Sequence, residues 1–194
     1  MEANQSNRRL TRRQAQLRDA LVDLVLAEGF SHLTMDDFAA RLGCSKRTLY
    51  ALADSKDQLA TEAVKLFFRR ATVAVEQAIA HTRKPERLVT RYLEAAAEAL
   101  QPASRAFLDD MAALAPAREV YDANTAVAAQ RVRQLIDAGT RSGSFRKVPA
   151  TFVAEVVTST MRRITSGEVQ AATGLNDAQA YTELAKLVVA AVRR

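Results

Sequence analysis

Few side chains in this sequence stand where catalysis needs them. Cys44 is the lone cysteine, and His32 and His81 are too far apart to share a metal on one helix. Asp36-Asp37 and Asp109-Asp110 set carboxylates side by side. Adjacent helical positions point about 100° apart, so each pair reads as a first-turn cap or a solvated face rather than an acid–base couple. Cys44 precedes a helix start and sits near Lys46, the setting of a redox sensor, but its position is a packed one and favours a structural thiol. His32 reads as a cap or packing residue in a turn. With no phosphate loop and no nucleophile–base spacing, the chain is not expected to be an enzyme or to hold a cofactor or metal.

The chemistry on offer is cationic. Lysine and arginine number 28 against 22 acids, a net charge of +6. Such an excess suits a polyanionic partner, nucleic acid before a membrane surface. Arg8, Arg9, Arg12, Arg13 and Arg18 crowd the N-terminal stretch with no acid between them, either a solvated tail or a phosphate-seeking arm. Lys46 and Arg47 begin a short helical segment, where the helix dipole disfavours cations. A local rule broken at an exposed position points to a partner of opposite charge.

The elements that must position these groups are helices. Alanine fills 38 of 194 positions, with 6 glycines and 4 prolines to interrupt it. No charge-free run is long enough to span a bilayer, and the basic N-terminus has no apolar stretch behind it; a reducing, cytoplasmic compartment fits. Thr11 with Gln14 starts a helix running to Glu28, striped by Leu17, Ala20, Leu21, Leu24 and Val25. Thr34 caps a short helix from Met35 to Leu42, Ser45 caps a second from Lys46 to about Leu52, and Ser55 with Gln58 boxes a long helix to His81. Pro85 opens a helix to Leu100, and Pro102 and Pro116 bracket one around Phe107–Leu114. The next spans Ala117 to Ala138 and stops at Gly139. After a loop over 142–148, helices at 149–173 and 177–193 complete an all-α chain of about nine helices, the last capped by Asn176 and Gln179.

Two helices as short as 35–42 and 46–52, joined by Gly43-Cys44-Ser45, have the makings of a helix-turn-helix. Gly43 permits the left-handed turn, Ala39 is small where the helices cross, and Phe38, Leu42, Leu49 and Leu52 face one core with Cys44 between them. In this motif the first turn of the second helix enters the major groove, so Lys46 and Arg47 meet phosphates and guanine edges. Arg47 is the candidate for a bidentate guanine contact, and Thr48 for a base methyl or a phosphate.

From Gly29 to Leu59 the sequence resembles the DNA-binding domain of TetR-type bacterial transcriptional regulators. Gly29-Phe30, Thr34, Phe38-Ala39, Gly43, Ser45, Thr48-Leu49-Tyr50 and Ser55-Lys56-Asp57-Gln58-Leu59 carry the likeness. Leu52-Ala53 depart from it, standing where the family usually has His-Phe or another bulky pair. The resemblance implies a DNA reader over 1–56, with a basic arm at 1–10, and a ligand-binding and dimerisation domain over 57–194. It also implies a homodimeric repressor on a palindromic operator, contacting DNA through Thr34, Ser45, Lys46, Arg47, Thr48, Tyr50 and Lys56. Tyr50, Lys56 and Thr34 fall to phosphate oxygens.

The C-terminal region carries no chemical motif. Tyr92, Phe107, Met111, Tyr121, Phe152 and Met161 are the candidates to line a cavity for a small-molecule effector, with Arg105 or Arg162 to meet an acidic one. Apolar stripes on 149–173 (Phe152, Val156, Met161, Ile164) and 177–193 (Tyr181, Leu184, Leu187, Val188) should pack inward on one side and onto a second copy on the other. The competing function is a helical carrier or enzyme whose basic face only aids solubility.

Overall fold

The computed structural model describes residues 12–193, among which ten helices carry the fold. They are α1 (Arg12–Glu28), α2 (Met35–Arg41), α3 (Lys46–Tyr50), α4 (Lys56–Ile79), α5 (Pro85–Leu100), α6 (Arg105–Ala113), α7 (Ala115–Arg141), α8 (Ala150–Thr165), α9 (Glu168–Thr173) and α10 (Asp177–Val192). Thr11, Arg8, Arg9 and the segment 1–10 lie outside the described residues. Full capping boxes close the starts of α2 (Thr34 with Asp37) and α10 (Asn176 with Gln179). At α4 the box is only half made. Ser55 accepts from the Gln58 amide, but the Gln58 side chain accepts from Asp54 instead.

Two expectations about element ends and one about a buried face need correcting. Helix α7 does not stop at Gly139. That glycine is buried inside the helix because the Phe145 ring lies against it, where a Cβ would stand 2.1 Å from a ring carbon. The stretch 149–173 is not one helix either: Gly167, at φ +80°, separates α8 from α9, which makes ten helices rather than nine. On α1 the buried stripe is Leu21, Val22, Val25 and Leu26, with Ala20 exposed and Leu17 only half-buried.

Two apolar cores organise the chain. One gathers Leu21, Val25, Phe30, Phe38, Leu49, Leu59, Val64, Phe67, Phe107 and Met111 from α1–α4 and α6. The other gathers Tyr92, Leu93, Ile136, Phe145, Val157, Ile164, Tyr181 and Leu184 from α5, α7, α8 and α10. Helix α4 belongs to both, giving Leu59–Phe68 to the first and Val75 and Ile79 to the second. Phe107 joins α6 to its neighbours edge-on, with ring centroids 6.4 Å from Phe30 and 5.6 Å from Phe67. After α7 the chain turns back on α10. Arg146 donates its amide to Val192 and its Nε to Ala191, pairing carbonyls that the end of α10 would leave unsatisfied.

Candidate nucleic-acid interface

The short helices are held rigidly enough to present side chains. Phe38 and Leu49 are fully buried between α2 and α3, while Leu42, Cys44 and Leu52 are half-buried at the margin of the same core. Gly43 adopts φ +60°, and a Cβ there would meet nothing, so the turn needs glycine for its backbone alone. Ser45 caps α3 through the Thr48 amide, and the two hydroxyls lie 2.9 Å apart. Burial pushes the Cys44 thiol up, away from the thiolate that a redox sensor needs.

The candidate DNA-facing residues differ in how free they are. Lys46 is paired with Asp36 at 2.7 Å, and that hydrogen bond raises its ammonium above the ordinary lysine value. Lys56 donates to the Ser31 carbonyl at 2.8 Å. The Thr34 hydroxyl and amide both donate to Asp37, and the hydroxyl bond leads in holding that carboxyl below its usual range. Arg47 is exposed and has no ion-pair partner among the described residues. Tyr50 is 49% exposed beside it. Where Leu52-Ala53 depart from the resemblance, Leu52 packs at the margin of the core and Ala53 is buried. His32 is exposed.

One contact was not legible in the sequence. Asp110, expected on a solvated face, accepts from the amides of Phe30 and Ser31, the latter at 2.8 Å, and so ties α6 to the turn before α2. Gly29 makes room for it. A Cβ there would lie 2.5 Å from the carboxylate, and φ is +78°. Burial works to raise the Asp110 carboxyl, and the Ser31 and Phe30 donors outweigh it, leaving it below the ordinary value. A depressed acid stabilises the fold above its unfolded pKa near 3.9 and ceases to as pH falls through the folded one. Asp110→Ala should therefore cost about 1 kcal/mol at neutral pH, modest because the carboxylate is only half-buried and its two amide donors can turn to water. Its deficit against the parent should shrink below about pH 4. Denaturant melts across that range check both points, and a deficit independent of pH would show that the charge is irrelevant.

The candidate effector residues divide. Tyr92, Tyr121 and Met161 line a cavity of about 250 Å³ bounded by α4, α5, α7, α8 and α10. Phe107 and Met111 do not reach it, because α6 packs on α1 and buries them in the other core. Phe152 is 67% exposed on the outer side of α8. Arg105 is engaged by Asp109 and the Thr165 carbonyl, and Arg162 lies 3.6 Å from Asp122. Further polar groups stand in the cavity wall, among them Tyr181, Asn124, Gln130, and Glu76, which accepts from Nε and Nη2 of Arg131 at 2.8 Å each. Tyr181, a member of the apolar stripe of 177–193 by sequence, turns its side chain to this cavity. Among the described residues no cluster of three or more His, Cys, Asp or Glu is placed for a metal. No helix among them is long and apolar enough to cross a membrane.

Comparison with known proteins agrees with this arrangement. Residues 17–63 match the family described as bacterial regulatory proteins, tetR family. The HTH-type transcriptional regulator YvaF of Bacillus subtilis, itself uncharacterised, is 57% identical over 44 residues, a stretch covering 23% of either chain. A TetR transcription regulator from Haloarcula marismortui superposes with a TM-score of 0.76 at 17% identity, over 93% of this chain and 100% of its own. A protein of Saccharomonospora viridis solved in complex with choline gives 0.75 at 15% identity, over 93% and 97%. Over the full length the likeness is one of fold.

Proposed function

We propose that this chain, a TetR-type regulator by its N-terminal domain, works as a homodimeric repressor that leaves a palindromic operator when a small molecule enters its C-terminal domain. Residues 1–56 serve as the DNA reader and 57–194 as the effector-binding and dimerising part, acting in the cytoplasm without catalysis. The observation that carries the reading is Arg47. It is an exposed cation with no ion-pair partner among the described residues, in the first turn of a helix fixed by buried Leu49 and capped by Ser45. Ser45, Lys46, Thr48 and Tyr50 flank it in the chain, and Thr34 and Lys56 complete the proposed DNA contacts. A gel shift with genomic fragments at two salt concentrations tests the reading. Specific binding with a steep salt slope supports it, and its absence favours a helical carrier or enzyme with a merely soluble basic face.

The differing freedom of the cations gives a ranking. Arg47→Ala should cost about 1–3 kcal/mol of operator binding and relax preference at one base pair per half-site. Lys46→Ala should cost less, since Lys46 must give up Asp36 to reach DNA. Lys56→Ala should weaken all sequences alike and flatten the salt slope by about one unit per contact. Binding of these variants to a panel of operator mutants checks the ranking. If Arg47→Ala leaves the order of operators unchanged, base reading lies elsewhere.

Homodimerisation is supported by the outer faces of α8 and α10. Phe152, Val156 and Leu187 are exposed there, while Val157, Ile164, Leu184 and Val188 of the same helices point into the core. Switching is supported by α4, which spans both cores at about 36 Å long. An effector that prefers one setting of α4 shifts the spacing of two recognition helices, which the operator fixes near 34–36 Å.

A further inference from the structure

We propose that the cavity takes a small, mainly apolar molecule presenting one hydrogen-bond-accepting oxygen, a carbonyl or a carboxylate, to a group of three tyrosines. This rests on the effector reading above and assigns that effector its chemistry. Tyr92, Tyr121 and Tyr181 all stand in the cavity wall. Tyr181 is 1% exposed and its hydroxyl has no hydrogen-bond partner; the Thr165 hydroxyl stands near without closing a bond of ordinary geometry. The hydroxyls of Tyr92 and Tyr121 also make no hydrogen bond among the described residues. Folded proteins pair nearly all their buried hydroxyls, so the buried, unpaired Tyr181 phenol calls for an occupant, with Tyr92 and Tyr121 beside it in the same wall.

The sign of that occupant follows from its surroundings. Burial, with a lesser push from Glu76, lifts Tyr92 to about 12, and burial also raises Tyr181. Both keep their protons at neutral pH, and the buried Tyr181 O–H faces the cavity with no acceptor for its proton. A cationic ligand would look to Glu76, but both Glu76 oxygens are already taken by Arg131. Phe68, Val75, Leu100 and Met161, with four alanines, give the wall a mainly apolar part that suits a hydrocarbon body, and Thr72, Asn124, Gln130 and Gln134 add polar groups to it. At about 250 Å³ the space falls just below the ~300–1,000 Å³ of drug-sized pockets, so the body is small.

Four probes with one phenyl-butyl frame separate the possibilities: 4-phenylbutan-2-one, 4-phenylbutanoate, butylbenzene and 4-phenylbutylamine. Calorimetric titration of the full chain should find the ketone or the carboxylate bound about 10-fold more tightly than butylbenzene. Which of the two leads identifies the oxygen as neutral or charged. Tyr181→Phe should erase most of that advantage and leave butylbenzene unchanged. The same substitution removes an unpaired buried hydroxyl, so the unliganded variant should melt about 2–4 °C higher, which also shows that it folds. Tightest binding by the amine, equal binding of the hydrocarbon, no binding at millimolar concentration, or a Tyr181→Phe variant that binds like the parent would each overturn the proposal. Gel shifts on the same preparations keep the two readings apart. Operator binding with any of those results removes only the acceptor-oxygen effector, whereas the expected ranking without DNA binding removes only the regulator.

Discussion

Replacing Phe152 and Leu187 together by glutamate is expected to leave the chain folded, make it monomeric, and lower operator affinity at least about 100-fold. Both side chains are two-thirds exposed, at 67% and 68%, so neither contributes to the fold of a single copy. A charge there costs little in a monomer. In a four-helix interface it would be buried without a partner, and two copies across a two-fold axis would bring like charges together. Affinity suffers because the second half-site is then no longer bound intramolecularly, a loss typically worth 10²–10⁴. Sedimentation velocity reads the oligomeric state, a gel shift the affinity, and circular dichroism the fold. A variant that still sediments as a dimer would place the interface on another face.

Phe145→Ala should destabilise the chain by about 3–5 kcal/mol, the range for emptying a buried aromatic site. The ring is 1% exposed and rests on Gly139, with its backbone bonded to that residue's carbonyl at 3.0 Å. The companion change is more diagnostic. Gly139→Ala alone should also destabilise, because the new methyl collides with a ring packed on all sides. In the Phe145→Ala background the collision is gone and part of the cavity is refilled. There alanine's helix propensity, about 1 kcal/mol better than glycine's, should make Gly139→Ala neutral or favourable. Urea unfolding of the four proteins closes the cycle. Additive losses would mean that the glycine is there for some reason other than the ring.

How far the sequence could be read depended on the range of each interaction. The cap at Thr34, the capping box at Asn176 and the proline start of α5 were legible because the signal and its partner lie within one turn. The helix-turn-helix was legible for a similar reason, since its core residues lie within about thirty positions of one another. Gly139 and Gly167 look alike locally. One is internal because of a ring that folds back on it, the other interrupts a helix, and only tertiary structure distinguishes them. Asp110 passed for a solvated carboxylate because its two amide donors are some eighty residues upstream. Phe107, Met111 and Phe152 have the composition of a cavity lining. Which helix face meets which neighbour decides otherwise, and the Glu76–Arg131 pair was hidden by the same distance.

The double membership of α4 bears on how the chain comes apart. Leu59 through Phe68 anchor its first half among α1, α3 and α6, and Val75 and Ile79 anchor its second half among the remaining helices. The 24-residue hydrogen-bond ladder of this helix is continuous, with no glycine or proline to mark a joint. Opening one core therefore frays a helix on which the other core is built, at the cost of nucleating it again on closure. A chain with two hydrophobic centres is in this way bound into one cooperative unit, so that loss of either core is felt in the melting of both.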